Sequence, residues 1–198
     1  MGVLTRLFRG GTEGNARLTA LTGVVLLALL AAEGVTILDI RGLLAAHVFI
    51  GLLLIPPVAL KLGAAGYRLL RYYARAADYV RKGPPIVLMR MLVAPGLVAA
   101  TLVVFATGIA LLVVGPRGGL VLTLHQASFF VWLGAFGLHV LVYALRVPGL
   151  VMADWRRESP TSGASVRVGV VAFALLLGVT LALAVLPAAN AWLHLRGD

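Results

Sequence analysis

Four histidines are the residues of this sequence best suited to chemistry, and three of them lie inside long apolar stretches. His47, His125 and His139 are flanked mainly by apolar residues, whereas His194 follows the last apolar stretch. An ionisable, metal-binding side chain inside a membrane is costly to place there and usually serves a function. We therefore treat the first three as candidate site residues and expect His194 to be an interfacial residue.

The absence of cysteine limits what those histidines can bind. Without a thiolate there is no iron–sulfur cluster, no covalently attached c-type haem and no disulfide. Any metal must be held by histidine, methionine, carboxylate, lysine or backbone groups.

His47 and His125 occupy equivalent places in the second and fourth apolar stretches. Each lies about one helical turn from the end of its stretch. The two helices run in the same direction, because one helix separates them. Two imidazoles at one depth in a helical bundle are what axial ligation of a b-type haem iron requires. The alternative is that each imidazole hydrogen-bonds to a neighbouring helix.

His139 follows His125 by fourteen residues in the fourth stretch. On a helix this spacing is about 21 Å and nearly four turns, so both side chains share one face. One helix would thus carry a histidine near each membrane surface. Lys61 follows His47 by the same fourteen residues, which makes it a candidate partner for His139.

Five long apolar stretches position these residues. They are 18–38, 43–62, 92–114, 120–145 and 166–186. The chain is 61% hydrophobic and 12% charged, with a mean hydropathy of +1.03. Each stretch is close to the roughly 20 residues that cross a bilayer as a helix. The first is too long for a signal peptide, whose apolar region spans roughly 7–15 residues. We predict one all-α transmembrane domain over residues 1–198, with Pro56 and Pro57 kinking the second helix.

The connection between the second and third stretches has its own pattern. Tyr67, Leu70 and Tyr73 recur at helical spacing among arginines, and a Gly-Pro-Pro sequence follows at 83–85. This predicts that the second helix extends beyond the membrane until the prolines end it. We interpret the segment as interfacial. A quinone or lipid headgroup site is the alternative.

The basic residues are unevenly distributed among the connections. Fourteen of the 17 fall in the N-terminal tail, the second connection and the fourth connection. Only Arg41, Arg117 and Arg196 fall on the other side. Basic loops remain in the cytoplasm, so we expect a cytoplasmic N-terminus and an external C-terminus. We therefore attribute the net charge of +10 to basic connections that set the membrane topology, and we expect no nucleic-acid partner.

The pattern His-x13-His on one helix, with a further histidine near the start of an earlier helix, resembles a known group. It is similar to the bacterial membrane-integral dihaem b-type cytochromes, such as the cytochrome b subunits of hydrogenases and formate dehydrogenases. The resemblance covers residues 15–147 and implies a four-helix haem-binding core, with the fifth helix at 166–186. It also implies a bacterial inner membrane and electron transfer between quinone and other redox subunits.

The sequence departs from that family at one position. The family usually supplies a fourth ligand near the cytoplasmic start of the first helix, where residues 14–19 here contain no histidine. Lys61, Met89 and Met91 are the candidate replacements near the inner surface. We expect one haem b, with a second only if one of these completes a site with His139. Otherwise His139 binds a quinone oxygen or bridges helices.

Glu33 is the only acid well inside an apolar stretch, at about the depth of the proposed haem. It could accept protons during quinol oxidation, or it could reach water or pair with Arg41. Three glycines, Gly51, Gly134 and Gly137, would leave space for a flat porphyrin, although small residues also serve ordinary helix packing.

No phosphate-binding loop, dinucleotide fingerprint or nucleophile elbow is present in the sequence. We therefore expect an electron-transfer subunit rather than a self-contained enzyme. The alternatives are a small transporter whose histidines and Glu33 relay protons, or a structural or assembly subunit without a cofactor.

Overall fold

The computed structural model describes residues 11–82, 87–115, 119–155 and 163–193, and within these ranges the chain is helical without strands. The helices are α1 (Gly11–Leu38), α2 (Leu44–Tyr73), α3 (Ala77–Lys82), α4 (Ala94–Val114), α5 (Leu120–Tyr143), α6 (Val147–Trp155) and α7 (Ala164–Leu193). A turn of π-helix, Met89–Val93, leads directly into α4. The predicted all-α fold is confirmed.

In the described part of the chain, five helices are long and apolar enough to cross a membrane: α1, α2, α4 with its π-helical turn, α5, and α7 as far as Pro187. They match the five stretches predicted from the sequence. Their outer surfaces are apolar, and Phe130, Leu141 and Phe173 on α5 and α7 are each at least two-thirds exposed. Such a surface suits lipid, because a helix satisfies its own backbone groups and needs no water around it. The chain is therefore a helical bundle of the multi-pass membrane type.

The long helices form two packed groups. In the first group α2 packs against both α1 and α7, and Leu18, Ala64 and Val171 form a buried cluster that joins these three helices. In the second group α4 packs against α5, and the two are consecutive in the chain. Between the groups, α2 makes only limited contact with α4 and almost no close backbone contact with α5. The short helix α6 packs against α1.

The close approach of α7 to α2 has a local cause in the sequence. Pro57 has no N–H, so the carbonyl of Leu53, four residues earlier, receives no helical hydrogen bond. Gly178 of α7 lies against that carbonyl, and any side-chain carbon at position 178 would collide with it. The helix α2 continues through both prolines. Sequence periodicity did not reveal this pairing, which makes the fifth span a neighbour of the histidine-bearing α2.

The predicted extension of α2 beyond its apolar part is confirmed, but the helix ends at Tyr73, before the predicted proline break. The chain turns at residues 74–76, where Arg75 adopts a φ of 55°, and then begins α3. The predicted break at 83–85 lies outside the described residues. Pro95 lies in the first turn of α4, directly after the π-helical turn.

Candidate functional site: two facing histidines

His47 on α2 and His125 on α5 face each other across the boundary between the two helix groups. Their ring centroids are 6.3 Å apart and their planes are nearly perpendicular, at 88°. The structure thus brings together the two imidazoles that were predicted to lie at one depth. We call this pair the paired-histidine site. Since the backbones of α2 and α5 stay apart, side chains make the connection.

The Nδ1 atom of His47 is held by two residues of α1. It lies 3.0 Å from Oε1 of Glu33 and 2.9 Å from Oγ1 of Thr36. The Thr36 hydroxyl donates its hydrogen to the backbone carbonyl of Glu33, at 2.5 Å. The Thr36 oxygen can therefore accept a hydrogen bond from the imidazole. A neutral His47 therefore carries its proton on Nδ1, which leaves the lone pair on Nε2.

Glu33 is partly enclosed, with 14% of its side chain exposed, and it meets His47 rather than the Arg41 that the sequence offered as a partner. Its second oxygen, Oε2, is buried and has no hydrogen-bond partner among the described residues. Gly51, one turn after His47, faces this carboxylate, and a Cβ there would lie 3.5 Å from Oε1. The expected space at Gly51 therefore accommodates the carboxylate.

His125 is held in the same way by α4. Its Nδ1 lies 3.1 Å from the Val104 carbonyl and 3.1 Å from the Thr107 hydroxyl. A carbonyl can only accept, and the Thr107 hydroxyl donates to the Val103 carbonyl at 2.6 Å, so Nδ1 of His125 also carries the proton. Gly108 lets the ring lie against α4, since a Cβ there would be 3.2 Å from the imidazole Cε1.

Both rings of the paired-histidine site thus present an unprotonated Nε2, while Nδ1–H is fixed by a neighbouring helix. This is the usual arrangement of metal-bound histidine, in which the outer hydrogen bond sets the tautomer and the ring orientation. Imidazole nitrogens bind metals at about 2 Å, so two imidazoles on opposite sides of one metal have ring centres roughly 6 Å apart. The observed 6.3 Å fits that spacing.

The donor set also bears on the kind of metal group that fits. Among the described residues, no cluster of three or more His, Asp or Glu side chains could hold a bare metal ion. His47 and His125 by themselves supply two nitrogen donors.

A second region lies fourteen residues further along the same two helices, and we call it the lysine–histidine site. Lys61 on α2 donates a hydrogen bond from Nζ to the Thr19 carbonyl of α1, at 2.9 Å. Gly23 makes room for it, because a Cβ there would lie 2.7 Å from Nζ. His139 lies on α5, fourteen residues after His125. The His139 ring packs against Tyr143, with centroids 4.9 Å apart.

The other predicted ligand candidates for this region are placed differently. Met89 is buried in the π-helical turn, and Met91 is 60% exposed. At the start of α1, where no histidine occurs, Asn15 is fully buried and donates to the Ala64 carbonyl of α2 at 3.1 Å. That amide hydrogen bond joins α1 to α2.

An aromatic stripe on α5 connects the two sites and was missed in the sequence. Phe129, Trp132 and Phe136 lie between His125 and His139 on the same helix face. Phe129 and Trp132 have centroids 6.4 Å apart, and Trp132 stacks on Phe136 at 4.6 Å. The rings recur at spacings of three and four residues, a signal that was available in the sequence. The stripe gives α5 a flat, polarisable surface between the sites.

The surroundings of Gly134 and Gly137 bear on the expectation that they leave space for a porphyrin. Gly134 and Gly137 lie on the exposed side of α5, with no atoms near their Cβ positions, so they do not border the paired-histidine site. Trp132 donates from Nε1 to the Thr101 hydroxyl of α4 at 3.0 Å, which ties the stripe to the second helix group. His194 lies outside the described residues.

Comparison of the chain with protein-family models, curated proteins and solved structures finds no match. The resemblance to dihaem b-type cytochromes therefore stays a prediction based on three histidines and a topology.

Proposed function

We propose that this chain is a membrane haem b protein that transfers electrons between the quinone pool and a redox partner, as a subunit of a larger complex. The observation that carries the proposal is the close pair of His47 and His125 rings, with centroids 6.3 Å apart and each Nδ1 held by a neighbouring helix. Without cysteine, a haem here would be held only by its axial ligands and by packing.

The haem iron would supply a one-electron carrier, and the chain would control its coordination. His47 and His125 would hold the haem iron, which would then serve electron transfer rather than binding of oxygen or substrate. Glu33 and Thr36 would orient one ligand, and the Val104 carbonyl would orient the other. Because each ligand comes from a different helix group, the cofactor would also join α2 to α5.

The lysine–histidine site supports a quinone role better than a second haem. It contains one imidazole, and Lys61 already donates to the Thr19 carbonyl. An ammonium and an imidazole N–H are both donors, and the carbonyl oxygens of a quinone accept such hydrogen bonds. The neighbouring aromatic stripe would suit a flat ring. We therefore propose one haem b per chain, with His139 and Lys61 available to quinone.

The location belongs to the same proposal. The excess of basic residues in the second and fourth connections favours a cytoplasmic N-terminus, and the resemblance to dihaem b-type cytochromes implies a bacterial inner membrane. The paired-histidine site would then lie towards the external surface, and the lysine–histidine site towards the cytoplasm.

The test is an absorption spectrum of the purified protein, with a haem-to-protein ratio from pyridine extraction. We expect a low-spin bis-histidine spectrum and a ratio near one. His47→Ala and His125→Ala should each lose that spectrum while still inserting in the membrane, because one axial ligand is removed. His139→Ala is the matched control, since it removes a membrane histidine from the same helix and should keep the haem.

The rival functions give a different result in this experiment. A proton-relaying transporter or a cofactor-free assembly subunit would show no Soret band in well-folded protein grown with ample haem. A normal low-spin spectrum in either ligand variant would also disprove the assignment of that residue.

A further inference from the structure

The length of α2 bears on where the turn that follows it would lie in a bilayer. The 30 residues of α2 extend about 45 Å, which matches the roughly 40–45 Å thickness of a bilayer with its headgroups. A helix that begins at one membrane surface therefore ends in the headgroup layer of the other. The turn at 74–76 and helix α3 follow at once.

This turn is held in a fixed shape by aromatic contacts. Tyr79 of α3 is 8% exposed and packs edge-on against Tyr67 of α2, with centroids 6.1 Å apart. The Arg71 guanidinium lies over the Tyr79 ring at 5.9 Å. Burial, followed by the neighbouring Tyr67, raises the pKa of the Tyr79 phenol, so the ring stays neutral. The helix α3 also contacts α1, which anchors it to the bundle.

The outer side of the same turn forms an open groove with a volume of about 620 Å³. It is lined by Tyr72, Tyr73, Arg75, Ala77, Val80 and Arg81. Two of its apolar walls are accessible, since Tyr73 is 59% exposed and Val80 is 45% exposed. The groove therefore combines apolar walls with two guanidinium groups at headgroup depth.

The two arginines of this groove are not equivalent. Arg81 is paired with Asp78, three residues earlier. Arg75 has no acidic partner among the described residues, and its left-handed φ of 55° places it at the apex of the turn. The second connection as a whole carries seven of the basic residues of the chain. A cationic groove with apolar walls complements a molecule that has a negative headgroup and a hydrocarbon tail.

We propose that this groove binds an anionic phospholipid, with its phosphate at Arg75 and Arg81 and its glycerol and upper acyl chain against Tyr72, Tyr73 and Val80. The proposal is independent of the haem, because none of these residues belongs to either site described above. The lipid would fix the end of α2 in the cytoplasmic leaflet and so hold the depth of Lys61.

Native mass spectrometry of the detergent-purified full chain, titrated with phosphatidylglycerol or phosphatidylcholine, tests the proposal. We expect phosphatidylglycerol to bind the wild type at least tenfold more tightly than phosphatidylcholine. The Arg75→Gln/Arg81→Gln variant should lose about fivefold in affinity for each arginine replaced. Glutamine and arginine have similar backbone preferences at a left-handed φ, so the substitution at position 75 should preserve the turn.

The Arg41→Gln/Arg146→Gln variant is the matched control, because it removes two exposed arginines from other turns. It should keep the preference for phosphatidylglycerol. Equal loss in both variants would mean general charge attraction and would overturn the proposal. Displacement of the lipid by inorganic phosphate alone would also overturn the proposal. The same holds if the groove variant loses a co-purifying protein while its lipid binding is unchanged. Unaltered circular dichroism in both variants shows that the bundle is folded.

Discussion

The paired-histidine site and the lysine–histidine site lie on the same two helices, fourteen residues apart, yet the structure equips them differently. At the first, both imidazoles have Nδ1 fixed by hydrogen-bond partners on α1 and α4. At the second, the position equivalent to His47 is Lys61, whose ammonium donates to an α1 carbonyl. One site therefore presents two electron-pair donors, whereas the other presents an ammonium cation beside one imidazole. Under the proposed function, this one residue on α2 would decide how many haems the helices could hold.

The strongest test of this comparison converts one site into the other. Lys61→His places an imidazole fourteen residues after His47, in the register that relates His139 to His125. We expect the haem-to-protein ratio to rise from about one to about two, with a second low-spin midpoint in a redox titration. Lys61→Gln is the control and should leave the ratio at one. A second haem already present in the wild type would show that an inner ligand exists among the residues considered above or outside the described ranges.

The next test concerns the unequal hydrogen-bond partners within the paired-histidine site. His47 has a carboxylate oxygen of Glu33 at Nδ1, whereas His125 has a backbone carbonyl. A carboxylate makes the imidazole a stronger donor and favours the oxidised iron. Glu33→Gln should therefore raise the midpoint potential by roughly 60 mV, a tenfold change in the one-electron equilibrium.

Glu13→Gln serves as the control for that measurement. Glu13 pairs with Arg17 near the start of α1. It precedes Glu33 by twenty residues on the same helix, so it lies far from His47. Its replacement should leave the potential unchanged. If both variants shift the potential equally, the carboxylate of Glu33 acts only through general charge.

A smaller effect is expected from the packing that supports α2. Gly178→Val would push α7 away from the Leu53 carbonyl and should destabilise the protein by about 1–3 kcal/mol, the usual cost of overpacking. Thermal unfolding in detergent measures this cost. Gly169→Val, on the same helix with open space at its Cβ, should unfold within about 0.5 kcal/mol of the wild type. Equal destabilisation by both variants would mean that valine destabilises the helix at either position, independently of the contact with the Leu53 carbonyl.

The last prediction changes the protein least and assigns the two sites to membrane sides. A cysteine introduced at Ala77, in a chain with no native cysteine, should resist an impermeant thiol reagent added to intact cells and react after lysis. The basic second connection is the reason, since such segments stay in the cytoplasm. Labelling in intact cells would reverse the topology and place the lysine–histidine site outside.

Much of the fold could be predicted because bilayer thickness fixes the length of a spanning helix. The five spans begin and end within several residues of the predicted stretches, except where α2 and α7 extend further. The equal depth of His47 and His125 could be predicted by counting helices, because every second membrane helix runs in the same direction. Helix partners were harder to predict. In lipid every face of a helix is apolar, so hydrophobic periodicity does not distinguish the buried side.

By itself, the sequence determined the five membrane helices, the shared face of His125 and His139, and the absence of any thiolate ligand. The tertiary structure decided which groups meet. It brought Glu33 and Thr36 to His47, Val104 and Thr107 to His125, and Thr19 to Lys61. Each of these contacts joins separate helices through one polar atom. Such a contact depends on the rotation and spacing of two helices, and local sequence spacing does not encode either quantity.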